Sequence, residues 1–112
     1  MKGKVTIGTK SVEMVANAAS PVYYKMAFHE DYFVRTEEVL KSNQDANAID
    51  VYSKMAFICA HQAKKDCDAK DLTFDDYIEW LTQFGPNDVA LASGAISEFY
   101  NTQAQENAKP KK

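Results

Sequence analysis

Between Asp45 and Lys65 the apolar positions cover about half of a helical wheel. At about 100° per residue, Ile49, Ala60, Ala56, Ala63, Tyr52, Cys59, Ala48, Met55, Val51 and Ile58 share one sector. That sector is about 200° wide, roughly twice the stripe of a surface helix. Asp50, Ser53, Lys54, His61, Lys64 and Lys65 occupy the other side, with Phe57 as the one large apolar residue among them. A helix apolar over that width needs cover from several directions. The pattern predicts a helix over 45–65 at the centre of a bundle, with Asp45 as its N-cap.

The flanking patterns supply the cover. Val5 and Ile7, then Val12, Met14 and Ala16, alternate with polar residues around Gly8-Thr9-Lys10, which predicts a β-hairpin over 4–16. Two strands are marginal alone, so their apolar face must rest on helices. Ser20-Pro21 predicts a helix start, with Ser20 as N-cap and Pro21 in the first turn. Tyr24, Phe28 and Tyr32 would share one face of that helix if it runs that far, whereas Tyr23 and Phe33 fall off it. A second helix is predicted from near Asp31 to Lys41, with Val34, Val39 and Leu40 as its apolar contribution and Glu37 and Glu38 in solvent.

Beyond a polar connector over 66–72, Thr73 caps a short helix with Asp76 in a capping-box position. Its apolar stripe reads Phe74, Tyr77, Ile78, Leu81 and Phe84, with Trp80 at the edge. Gly85-Pro86-Asn87 breaks the chain and Asn87 caps a last helix whose face is Val89, Ala92, Ile96, Phe99 and Tyr100, while Leu91 points elsewhere. The short break predicts an αα-hairpin between these two helices. From Asn101 no large apolar residue remains. The fold class is therefore mainly α: one domain over 1–100, a bundle of about five helices with an N-terminal β-hairpin. A disordered, flexible polar tail over 101–112 completes the prediction.

Composition adds exclusions. The chain has 112 residues, 46% hydrophobic and 26% charged, which suits one globular core. Net charge is −3; residues 1–100 hold 10 Lys and Arg against 15 Asp and Glu. An acidic body argues against a phosphate-binding groove and so against nucleic acid. No stretch approaches the ~20 apolar residues of a membrane span, and the N-terminus lacks the apolar run of a signal peptide. A soluble, cytosolic protein is expected.

Candidate chemistry thins out on inspection. Cys59, His61 and Cys67 are the metal suspects, but Cys59 and His61 lie about 160° apart on the wheel, and a zinc site needs convergent ligands. His29-Glu30 opens like a zincin motif, yet Phe33 stands where the second His is required. Glu37-Glu38 and Asp75-Asp76 are adjacent pairs, and neighbours on a helix do not face each other. No glycine-rich phosphate loop is present. The residues predict no enzyme, no metal and no cofactor.

In layout the chain resembles the tail assembly chaperones of long, non-contractile-tailed bacteriophages of Gram-positive hosts. The likeness runs over roughly 4–112: KVTIGTKSVEMVANA as the opening hairpin, SPVYYKMAFHEDYF as a Pro-led helix with Tyr, and VYSKMAFICAHQAK as an Ala- and Met-rich helix. LTFDDYIEWLTQF then matches an acidic-aromatic helix and EFYNTQAQENAKPKK the polar finish. Two departures stand out. His29 occupies a place where many such proteins have Gly, so a left-handed helix stop there lacks its usual residue, and Phe99-Tyr100 stand where Trp is common.

The resemblance implies a non-enzymatic helper that binds the tape measure protein, helps recruit major tail tube subunits, works in the host cytoplasm and is absent from the mature virion. Partner contacts are expected at the large residues lying off the main helical stripes: Tyr23, Phe33, Phe57, Trp80 and Leu91. Free hairpin edges leave self-association open. The rival readings are a small helical DNA-binding regulator, which would need a basic recognition helix, and a phage head–tail structural protein, which would remain in the virion.

Overall fold

The computed structural model describes residues 2–42, 45–64 and 69–108. Strands β1 (Lys2–Ile7) and β2 (Lys10–Val15) form an antiparallel hairpin with Val5 opposite Val12 and Gly3 opposite Met14. Helices α1 (Ser20–Phe28), α2 (Tyr32–Ser42), α3 (Asp45–Gln62), α4 (Phe74–Leu81) and α5 (Asp88–Ala108) follow, with a 3-10 turn at Ala69–Asp71. The result is the mainly α bundle with an N-terminal hairpin that the sequence pattern predicts.

The alternation in the hairpin places Val5, Ile7, Met14 and Ala16 in the core. β2 rests on α3 and β1 on α5. Gly8 turns the hairpin at φ +63°, and a Cβ there would run into the Asp88 carboxylate at the start of α5. Gly3 lies so close to the Phe99 ring that a Cβ would collide with it. The hairpin thus approaches α5 closely at both ends, and at Gly8 the positive φ adds a backbone reason for glycine.

α3 is the axis of the bundle. Val51, Met55, Ala56, Ile58, Cys59 and Ala60 are all buried. It packs against β2, α1, α2, α4 and α5. Regular helix ends at Gln62, short of the expected Lys65, which lies outside the described residues along with Cys67.

Several expectations are corrected. Ser20 is not the cap of α1: the cap position is Ala19, and Ser20 lies inside the helix, where its hydroxyl accepts from Asn17 N–H at 3.0 Å and donates to Gln62 Oε1 at 2.5 Å. The Tyr24–Phe28–Tyr32 seam exists but crosses a corner: α1 stops at Phe28, and Tyr32, the first residue of α2, brings its ring 5.3 Å from that of Tyr24. α2 turns Tyr32 and Arg35 inward, leaving Val34 and Leu40 exposed. In α4, Tyr77 and Trp80 are the buried pair, and Phe74 and Ile78 are exposed. α4 and α5 do not form an αα-hairpin; each packs on α3, because the six-residue connection from Thr82 to Asn87 lets them diverge. The capping box at Thr73 is present, with Asp76 N–H donating to Thr73 Oγ1 and Thr73 N–H to Asp76 Oδ2. α5 continues to Ala108, so the stretch expected as tail from Asn101 is helical up to there, and 109–112 lie outside the described residues.

His29 ends α1 in the left-handed conformation, φ 56° and ψ 35°, its N–H bonded to Lys25 O at 2.8 Å. The sharp stop exists without glycine. A side chain held in that region costs about 1–2 kcal/mol, partly offset because glycine adds freedom to the unfolded chain. His29 is exposed, so its removal costs little packing. His29→Gly should raise unfolding free energy by about 0.5–1 kcal/mol, seen as a higher urea midpoint at unchanged slope.

Candidate functional site

The polar side of α3 is covered too. Glu30, just past the α1 stop, accepts from Tyr24 OH at 2.6 Å, Arg35 Nε at 3.1 Å and Lys54 Nζ at 3.3 Å. Asp50 accepts from Arg35 Nη2 at 2.9 Å and Lys54 Nζ at 3.1 Å. Lys54 Nζ also lies 5.3 Å from the centre of the Phe28 ring. Arg35 Nη1 also donates to Glu38 Oε1 at 3.2 Å, so two bases hold three carboxylates and the network locks the α1–α2 corner onto α3. Burial works against the Arg35 charge, but its hydrogen bonds to Glu38 and Asp50 outweigh that and hold its pKa above the ordinary value.

A turn further along, Ser53 and Tyr77 share a buried hydrogen bond of 2.6 Å. Phe57 fills the space beside it, fully buried, with ring centres 5.5 Å from Tyr77, 5.8 Å from Trp80 and 6.1 Å from Phe28. Phe57 and Trp80 therefore hold α4 to α3 and offer no surface to a partner, contrary to the expectation from the wheel. The wheel fails here because α4 covers the side it ranks as polar. Tyr23 is half-buried and packs against the core. Leu91 stands exposed on the first turns of α5. Phe33, exposed at 62%, is the expected contact residue that lines the concave surface described next.

That surface is an open groove of about 920 Å³ between α1 and α2. Pro21, Val22 and Lys25 form the α1 wall, and Phe33, Thr36 and Leu40 the α2 wall. Tyr52 from α3 and Tyr100 from α5 also line it, and Ala16, Asn17 and Ala18 contribute the loop between β2 and α1. Leu40, exposed at 83%, and Val22 are groove residues that the sequence reading did not single out. The available signal was their misfit: α2 needs only its Tyr32–Arg35–Val39 face to cover α3.

The groove has binding character and little chemistry. Burial raises the pKa of Tyr32 well beyond the usual tyrosine range and pushes Tyr100 up to about 12, so neither phenol is an acid–base group near neutrality. Cys59 is buried beside Ser20, and desolvation pushes its thiol up to about 12. His61 turns away from it, its Nδ1 3.0 Å from Phe57 O and its ring 4.4 Å from the Phe57 ring. Among the described residues no group of three or more His, Cys, Asp or Glu side chains could hold a metal ion. No helix among them is long and apolar enough to cross a membrane.

These shifts fix a pH dependence. Tyr24, Tyr32, Tyr77, Tyr100 and Cys59 all have folded pKa values raised by desolvation above 10.0 for tyrosine or 9.0 for cysteine. The folded chain then binds more protons than the unfolded one, so stability is full below those values and falls as pH rises through them. His61 runs the other way: desolvation lowers its pKa below 6.5, so its share is full above that pH and falls as pH drops. Urea midpoints should plateau between roughly pH 7 and 9 and decline on both sides, more steeply on the alkaline side, where Tyr24, Tyr32, Tyr77 and Tyr100 and the Cys59 thiol all favour the folded, protonated state.

No protein-family model matches the chain. No curated protein matches it, and no solved structure does.

Proposed function

We propose that this protein is a tail assembly chaperone of a long-tailed phage, which holds amphipathic helices of the tape measure protein while the tail is built. The groove is the observation that carries this reading. Two helical walls, aromatic rings from α3 and α5, and the exposed Phe33 and Leu40 suit a helix laid in by its apolar face. Covering side chains of that size stabilises a complex by about 1.5–3 kcal/mol each before the costs of association, which suits reversible holding. The resemblance in segment order names the client.

In this reading the protein is not an enzyme and binds no nucleic acid or membrane. It acts in the host cytoplasm, brings in tail tube subunits, and leaves before the virion is complete. The test has two halves. Affinity purification of the tagged chain during phage production should bring down the tape measure protein, and mass spectrometry of purified virions should find none of the chain. Its presence in virions at stoichiometric amounts would favour a structural head–tail component instead.

A further inference from the structure

We infer that the groove between α1 and α2 also pairs two copies of this chain about a twofold axis when no client fills it. The charged side chains lining the groove are Lys25 and Asp31, one of each sign. Neither enters an ion pair with another described residue. A twofold interface sets a surface patch against the same patch of the other copy. A patch with one cation and one anion is self-complementary under that operation: Lys25 of each copy meets Asp31 of the other.

Over the rest of the body acids outnumber bases. Residues 1–100 carry 10 Lys and Arg against 15 Asp and Glu, so two copies repel one another on average, and a patch balanced in sign is a favoured place to meet. Shape points the same way. Phe33 and Leu40 project from the wall of the groove they line. Knob and hole thus lie on one face, and each copy supplies what the other receives. One groove per copy makes a small interface, below the roughly 1,200 Å² of a standard stable complex, so the pair is weak. A client helix displaces the second copy, and the groove is covered in both states. That displacement rests on the chaperone reading; the pairing does not.

Sedimentation equilibrium of the full chain from tens to hundreds of micromolar tests the pairing. The weight-average mass should rise from 12.6 kDa toward twice that value. Lys25→Glu alone and Asp31→Lys alone should each weaken association on the order of tenfold by setting like charges together. An equimolar mixture of the two variants should restore it, since each then offers the charge the other lacks. Asp31 also accepts from Val34 N–H at 3.1 Å at the start of α2. Phe33→Ser, which spares that cap, is therefore the second variant, and it should abolish association. A chain monomeric at every concentration would overturn the inference and leave the chaperone reading standing, as would association indifferent to Lys25→Glu and Phe33→Ser. Client binding lost in a chain that still pairs would count against the chaperone reading alone.

Discussion

Phe57→Ala should lower the unfolding free energy by about 3–5 kcal/mol, the range for deleting a large buried aromatic side chain. The ring is fully buried and touches elements from three parts of the chain: Phe28 on α1, Tyr77 and Trp80 on α4, and His61 on its own helix. Edge-to-face geometry dominates these contacts, the arrangement aromatic quadrupoles favour. The neighbouring Tyr77 is held by its hydrogen bond to Ser53, so the site collapses only in part and the cavity adds its own penalty. In a domain stable by about 5–15 kcal/mol, that loss removes much of the margin. Urea denaturation followed by tryptophan fluorescence measures it, because Trp80 lies against the same ring. Under the proposed function, any loss of client binding in this variant should track its unfolded fraction.

Glu30→Ala should cost about 2–3 kcal/mol. One carboxylate accepts from Tyr24, Arg35 and Lys54, and its removal leaves the Lys54 ammonium, only 12% exposed, with the Asp50 carboxylate and the face of the Phe28 ring. Tyr24 OH loses its acceptor, Glu30. The figure sits below that for a fully buried pair because Glu30 is 26% exposed and water reaches it. Glu30→Gln, which keeps one acceptor oxygen, should cost about half as much. A double-mutant cycle with Tyr24→Phe separates the parts: a coupling of about 1 kcal/mol is expected if the hydroxyl bond is a real contributor.

Periodicity reported the hairpin, the capping box at Thr73, the face of α5 and the centrality of α3, because each is written in residues close in sequence. It misread Phe57 because that side of α3 is polar by residue type yet covered. The partners that satisfy it come from far along the chain: Tyr77 for Ser53 and Glu30 for Lys54. A wheel carries no information about them. The stripe of α4 shifted for the same reason, since Tyr77 and Trp80 both reach α3.

The groove was less legible still. It depends on the corner that His29 sets between α1 and α2 and on where α5 ends up, and no local repeat encodes either. Phe33 could be picked out as a ring off the main face. Leu40 could not, because an exposed leucine on a helix reads as core until the helix is seen to have all the cover it needs.

Under the proposed function, recognition belongs to the α1–α2 groove and not to the buried aromatic cluster around Phe57. Co-expression of the tape measure protein with this chain tests that most directly, with its soluble fraction as the readout. Phe33→Ser with Leu40→Ser should reduce that fraction to the level seen without this chain while the chain stays folded. Leu91→Ser, equally exposed but outside the groove, should leave it unchanged. Full solubilisation by the folded groove variant, or its loss in Leu91→Ser, would contradict the account.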